Sequence, residues 1–209
     1  MITNPNINNY LLNNCFLDTE LLNNDVIISK KITNQKVNSS IKDDIEFNTC
    51  IISDCVFLNC KVEKSYFVDV IFENCDLSNT SFIKSTFKRV TFKNCKLLGA
   101  NFSDSYFENV TFSNSNMINC YLDNCSINNS IIDICNLNSS NICSVKHKNL
   151  SFRDSNLTCV NLSKTSLKNI DLTSNIISGI ILYPEDLRGA IMSEYQALEF
   201  VKILGIKIK

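Results

Sequence analysis

From residue 47 to residue 182 the chain places an apolar side chain at every fifth position, 28 positions in all, with His147 the one exception. In the stretch TFKNCKLLGANFSDSYFENVTFSN, residues 91–114, these positions are Phe92, Leu97, Phe102, Phe107 and Phe112. A helix repeats its apolar face every 3.6 residues and a half-buried strand every 2, so a period of five belongs to neither. Such strict self-similarity marks an internal repeat and predicts a solenoid. Eleven of the 13 phenylalanines fall in this one register of five, which rules out chance.

A second register runs two residues earlier, from Ile45 to Ile180, and 23 of its 28 residues are Cys, Ser, Thr, Ala or Val. The exceptions are Ile45, Leu150, Ile170, Asn175 and Ile180. One large and one small side chain therefore point inward per five residues, with three pointing out, which describes a coil with a narrow interior.

The unit, seen in Ala100-Asn101-Phe102-Ser103-Asp104, resembles that of the pentapeptide-repeat proteins over roughly residues 45–184. The resemblance implies an all-β solenoid, a right-handed quadrilateral parallel β-helix with four repeats per turn, the large residue on the axis and the small one at the corner. Seven turns at the strand spacing of about 4.8 Å make a rod of roughly 33 Å. Stacking at intervals of 20 then sets Phe47, Phe67, Phe87 and Phe107 in one column and Phe72, Phe92 and Phe112 in another, close enough for offset stacking. Cys, Ser or Val stands where the family prefers Ala, and the requirement for small size is still met.

With 20 basic and 21 acidic residues the net charge is −1, so no whole-chain field favours nucleic acid or an anionic membrane. Only 4 Gly and 2 Pro are present, so the corners are made by other residues. No apolar run reaches the roughly 18 residues of a membrane span, and the N-terminus lacks an export signal. A cytoplasmic protein with reduced thiols is expected. Nine of the eleven cysteines, Cys15, Cys50, Cys55, Cys60, Cys75, Cys95, Cys120, Cys125 and Cys135, occupy the small inward register and read as small buried hydrophobes. Spacing of five sends Cys50, Cys55 and Cys60 to successive corners, which cannot converge on a zinc ion. His147 has no acid or nucleophile beside it in the pattern, so a neutral imidazole with one hydrogen bond, or a local irregularity of the coil, is expected. No phosphate loop, nucleophile elbow or paired-histidine motif occurs. The sequence predicts no enzyme, no cofactor and no metal.

Residues 1–44 read as an N-terminal cap or irregular first coils. The large register is traceable there through Leu12, Leu17, Leu22, Ile27, Ile32 and Val37, but Glu20, Asp25, Lys30 and Gln35 fall at the small positions. Leu11, Phe16, Leu21 and Val26 offer an alternative register. Residues 45–184 form the β-helix and 185–209 a C-terminal capping and dimerisation helix with a tail. Ser193 and Gln196 make a capping box, and Gly205 ends the helix. Leu198, Phe200, Val201, Leu204, Ile206 and Ile208 supply more apolar surface than one coil end can hide and predict a homodimer.

This terminus resembles that of the Qnr-type quinolone-resistance proteins through Asp186-Leu187-Arg188-Gly189, Tyr195-Gln196-Ala197 and Leu204-Gly205-Ile206. The resemblance implies end-to-end pairing of two coils, with DNA gyrase or topoisomerase IV as partner, DNA mimicry, protection from quinolones, and no direct contact with nucleic acid or membrane. The register runs without loops, so the chain would belong to a loopless branch. The acidic wall needed for mimicry is Asp54, Glu73, Asp133, Asp154 and Asp171, offset by Lys93 and Arg153 to a net −3, while the wall of the Phe47–Phe107 column is net positive. A rival expectation is a scaffold for another protein, contacting it through the uncharged face of Val56, Leu58, Leu98 and Ile118.

Overall fold

A computed structural model of the chain describes residues 2–8, 12–37, 43–57 and 59–201. It is a parallel β-solenoid of about 7 turns with a short C-terminal helix. Six eight-residue strands, β4 (Glu46–Ser53), β5 (Tyr66–Glu73), β6 (Thr86–Lys93), β7 (Tyr106–Ser113), β8 (Ser126–Asp133) and β9 (Lys146–Arg153), stack in sequence order, each paired with the next at an offset of 20. Each strand bends in its middle and covers two adjacent walls. The other two walls are made of single parallel bridges such as Val56↔Asp76 and Ser81↔Asn101, with tight turns such as Ala100 N–H to Leu97 C=O, 3.0 Å.

The bends explain how a square coil is built from so little glycine. One residue per repeat takes a left-handed backbone, and among the described residues 27 of these are not glycine. Twelve are Asn and five Asp, the side chains that tolerate this region best. Thr49, at φ 56°, and Ile134, at φ 53°, are β-branched, the type least suited to this region.

The axis carries the large register. Rings stack along three columns at 4.8–5.2 Å with planes within 9° of parallel: Phe47–Phe67–Phe87–Phe107, Phe72–Phe92–Phe112 and Phe82–Phe102. Between columns the rings meet edge to face, as Phe82 and Phe87 do at 5.9 Å. Both arrangements suit the aromatic quadrupole and add about 0.5–1.5 kcal/mol per pair to the burial of the rings.

The corners hold more than small volume. Ser85 Oγ accepts the Ser65 amide at 3.1 Å and donates to the Val62 carbonyl at 3.2 Å, so one hydroxyl ties two turns together. Ser105, Ser140 and Thr165 repeat the arrangement, and Cys75, Cys120 and Cys125 thiols donate to the carbonyl 23 residues earlier. Alanine could fill these corners but could not make these bonds.

The N-terminal region joins the coil in the original register. β2 (Val26–Ile28) and β3 (Lys30–Thr33) pair with β4, β1 (Asn13–Asn14) pairs with β3, and Leu17, Ile27, Ile32 and Val37 are buried. The alternative register fails, because Phe16 and Val26 face outward. Its polar corners are neutralised: Glu20 pairs with Lys30 at 2.8 Å, and Gln35 accepts the Leu17 amide and donates to the Cys15 carbonyl. A short helix, α1 (Leu17–Asn23), fills the first side. Residues 2–8 then form a strap along one outer edge. The Asn6 amide donates to Asp69 Oδ1 and the Thr3 amide to Asn109 Oδ1, two turns further on. Three extended residues span about 10 Å, the height of two turns.

Phe87, with stacked rings on both sides and edge contacts to Phe82 and Phe102, is the centre of this core. Phe87→Ala is expected to cost about 3–5 kcal/mol of unfolding free energy, and Phe87→Leu less, measured by chemical denaturation.

Candidate functional site

Interaction with a partner depends on the outward positions of the walls and on the two ends. On the acidic wall, Glu73 is bound by Lys93 at 2.7 Å and Asp133 lies 3.9 Å from Arg153, each one turn away. Asp54 accepts a bond from the Asn74 amide group, and Asp171 accepts the Thr173 hydroxyl and amide, which hold its carboxyl below the usual range. Asp54, Asp154 and Asp171 have no ion pair among the described residues. Asp54 and Asp154 share a corner column but stand five turns apart, about 24 Å, over which duplex DNA carries roughly 14 charges. The five carboxylates are not brought together into one charged track.

Elsewhere the walls pair opposite charges along a column: Lys88–Glu108 at 3.8 Å, Lys96–Asp76 at 3.9 Å and Arg89–Asp69 at 2.7 Å. The exposed pairs Lys88–Glu108 and Lys96–Asp76 contribute little to stability but cancel the field of the wall. The expected uncharged face is also mixed, since Val56 bridges Asp76, which bridges Lys96. Leu98 is exposed there, Ile118 is half-buried, and Leu58 lies outside the described residues.

Arg89 and Asp69 differ from the other pairs. Arg89 Nε and Nη2 each donate to one of the two carboxylate oxygens at 2.7 Å, and Asp69 also receives the strap amide of Asn6. Burial by itself would raise the Asp69 carboxyl, but these donors outweigh it and hold it below its ordinary value. Its contribution is therefore complete above the ordinary carboxylate range and is lost as pH falls through the lowered value.

At the C-terminal end a short 3₁₀ turn, Pro184–Leu187, leads to α2 (Glu194–Val201). Asp186 Oδ2 accepts the amides of Lys164 and Tyr183, both at 3.0 Å, and Gly189 takes φ +80° where a side chain would press on Lys168. The capping box forms: the Ser193 amide donates to Gln196 Oε1 and the Gln196 amide to Ser193 Oγ. Gln196 Nε2 donates to the carbonyls of Leu172 and Asn175, fastening α2 to the last turn. Phe200 is 5% exposed and packs into the core of its own chain, so it is removed from the expected dimer surface. Leu198 is exposed and Val201 half-buried, while Leu204, Ile206 and Ile208 lie outside the described residues.

What periodicity missed is a collar around the last turn. Ile176 ends a column that reads Asp76, Lys96, Asn116, Asn136, Asn156, and Ile181 ends one that reads Ser81, Asn101, Tyr121, Asn141, Asn161. Ile191 follows Asp171. All three isoleucines are exposed, as are Tyr183, Tyr195 and Leu198 of the same C-terminal region. For Ile176 and Ile181 the available signal was the isoleucine that follows three asparagines in the same column; the Ile191 column already holds Ile51, Ile71 and Ile131 and gave none.

All eleven cysteines are free; eight are buried, Cys15 and Cys143 are half-buried and Cys159 is exposed. Burial pushes the Cys50 and Cys135 thiols up to about 11 and Cys125 to about 12, so they are inert as thiolates at neutral pH. Among the described residues no group of three or more His, Cys, Asp or Glu could hold a metal, and no helix is long and apolar enough to cross a membrane.

His147 is half-buried. Its Nε2 lies 2.6 Å from the Ser166 carbonyl, and Nδ1 is buried without a partner. On the other walls Leu137 and Ile142 send their amides to carbonyls 19 residues ahead, Asn156 and Asn161. The equivalent acceptor for the His147 amide is the Ser166 carbonyl, and the imidazole has taken it. Among the described residues no bridge joins 146–153 to 166–173, although Asn156↔Ile176 and Asn161↔Ile181 persist. The ladder is interrupted on two adjacent walls at this level, and the imidazole lies on the first of them.

Two family models match the chain: a pentapeptide repeat region over residues 65–142, and pentapeptide repeats (8 copies) over residues 135–173. No curated protein matches it. Among solved structures, a trypsin-treated variant of QnrB1, a plasmid-mediated fluoroquinolone resistance protein, is 18% identical, covering 88% of this chain and 99% of that one at a TM-score of 0.43. A pentapeptide repeat protein of the Arabidopsis thaliana thylakoid lumen is 19% identical over 47% of this chain and 66% of its own, TM-score 0.40. HetL of the cyanobacterium Nostoc, involved in heterocyst differentiation regulation, is 14% identical over 81% and 90%, TM-score 0.29.

The strap gives a test of the electrostatics. Asp69→Asn is expected to release residues 2–8, seen as amide exchange in that segment at least about tenfold faster with the coil unchanged. In the wild type the same release is expected only on acidification below the ordinary carboxylate range.

Proposed function

The chain belongs to the pentapeptide-repeat proteins, and from that premise we propose that it is a rod for binding other proteins. Two copies join end to end at the C-terminus, and the rod docks on a type II topoisomerase, DNA gyrase or topoisomerase IV, giving some protection from quinolones. The observation that carries this reading is the C-terminal end. The residues that resemble the Qnr-type terminus, Asp186, Gly189 and Gln196, are those that close the coil and fasten α2. Around them Ile176, Ile181, Ile191 and Leu198 expose apolar surface of the kind that a second copy would cover.

A second reading, a scaffold for a different protein partner, is favoured by the walls. Charges that alternate in sign from turn to turn offer a DNA-gripping saddle little to hold, so a topoisomerase would have to recognise the width and stiffness of the rod.

In a supercoiling assay with cognate gyrase and ciprofloxacin, micromolar protein is expected to restore part of the activity. If there is neither rescue nor any change in gyrase activity, the second reading stands in its place. Pairing is tested separately: Ile176→Glu with Ile181→Glu is expected to convert a dimer to a monomer in light scattering while the β-sheet circular dichroism is retained. A wild-type chain that is monomeric at high concentration would refute the pairing.

A further inference from the structure

The interrupted ladder at His147 leaves a cleft of about 570 Å³ between β9 and residues 166–170. Its lining carries Lys146, Lys148 and Lys168 and no acidic residue. Lys148 and Lys168 stand at the same position of consecutive turns, where like charges repel. Higher on the same wall the charges one turn apart have opposite sign and pair, Lys88 with Glu108 and Arg89 with Asp69. Among the described residues none of these three lysines has an ion pair.

The same interruption frees backbone donors. With the imidazole on the Ser166 carbonyl, the amide of His147 makes no bond to the turn that follows. The Ser166 amide also lacks the bond to the previous turn that Lys146 makes to the Cys125 carbonyl at 3.0 Å. Three cations and N–H groups released from the ladder around one concave space, with no carboxylate, are what an oxyanion requires.

We propose that this cleft is an anion-binding site that takes a phosphate group, either as inorganic phosphate or on a small phosphomonoester. Lys146, Lys148 and Lys168 neutralise the charge, and the freed amides donate hydrogen bonds to the phosphate oxygens. His147 acts as a positioning residue: it holds the cleft open by occupying the Ser166 carbonyl. The proposal does not depend on the topoisomerase reading.

Phosphorus-31 line broadening and thermal shift would be measured with inorganic phosphate and with adenosine monophosphate, each against potassium chloride at equal ionic strength. Wild-type protein is expected to bind at least one, and the stronger of the two identifies the source. Lys148→Gln with Lys168→Gln leaves the axis and corners intact and is expected to weaken binding about tenfold or more. His147→Leu restores the apolar register, so it is expected to melt higher than wild type and to lose binding. A wild-type response no greater than that in chloride would overturn the site. So would equal binding by the lysine variant, and binding retained by a more stable His147→Leu protein would overturn the role of the histidine.

Discussion

Everything in this molecule depends on turning the chain through a corner every five residues while keeping its amides bonded to the turns above and below. A left-handed residue makes the bend, a small residue two places before each axis residue leaves room for the chain to come close, and a large residue fills the space that closure leaves. None of the three works without the others. A larger corner residue would push the turns apart and break the ladder, and a smaller axis residue would leave a void along the centre.

The axis and the corners were legible because sterics at those positions admit few residue types. Phe67, Phe87 and Phe107 declare a column by their spacing alone, and the stacked rings lie as that spacing requires. The corner hydroxyls were legible only as small. That Ser85 and Ser105 also hold successive turns by hydrogen bonds needed coordinates, since size and bonding capacity are confounded in Ser, Thr and Cys. The first coil was harder still. Glu20, Lys30 and Gln35 look forbidden in a dry corner, yet each is satisfied by a partner 10 to 20 residues away that no local pattern reveals.

The candidate sites were legible in inverse proportion to their distance from the repeat. Phe200 looked like surface because helical spacing does not say which face meets the coil, and it lies in the core. The isoleucine collar required knowing that residues 156 and 176, or 161 and 181, are neighbours. His147 stood out as the one misfit, but that its imidazole lies on the Ser166 carbonyl of the following turn needed coordinates. Outward residues are free to vary without disturbing closure, so the repeat does not predict them: paired opposite charges on most walls and, at the His147 level, three lysines with no ion pair among the described residues.

The offset of twenty has a consequence for how such a chain can change length. Gaining or losing one whole turn alters the rod by about 4.8 Å and returns every wall to its old bearing. Gaining or losing a single repeat keeps the axis filled but swings everything downstream by a quarter circle. The C-terminal end would then face a new direction relative to the strap and the charged walls. Length and bearing are thus set in separate steps, and a binding rod can lengthen by turns while still aiming the same side at its target.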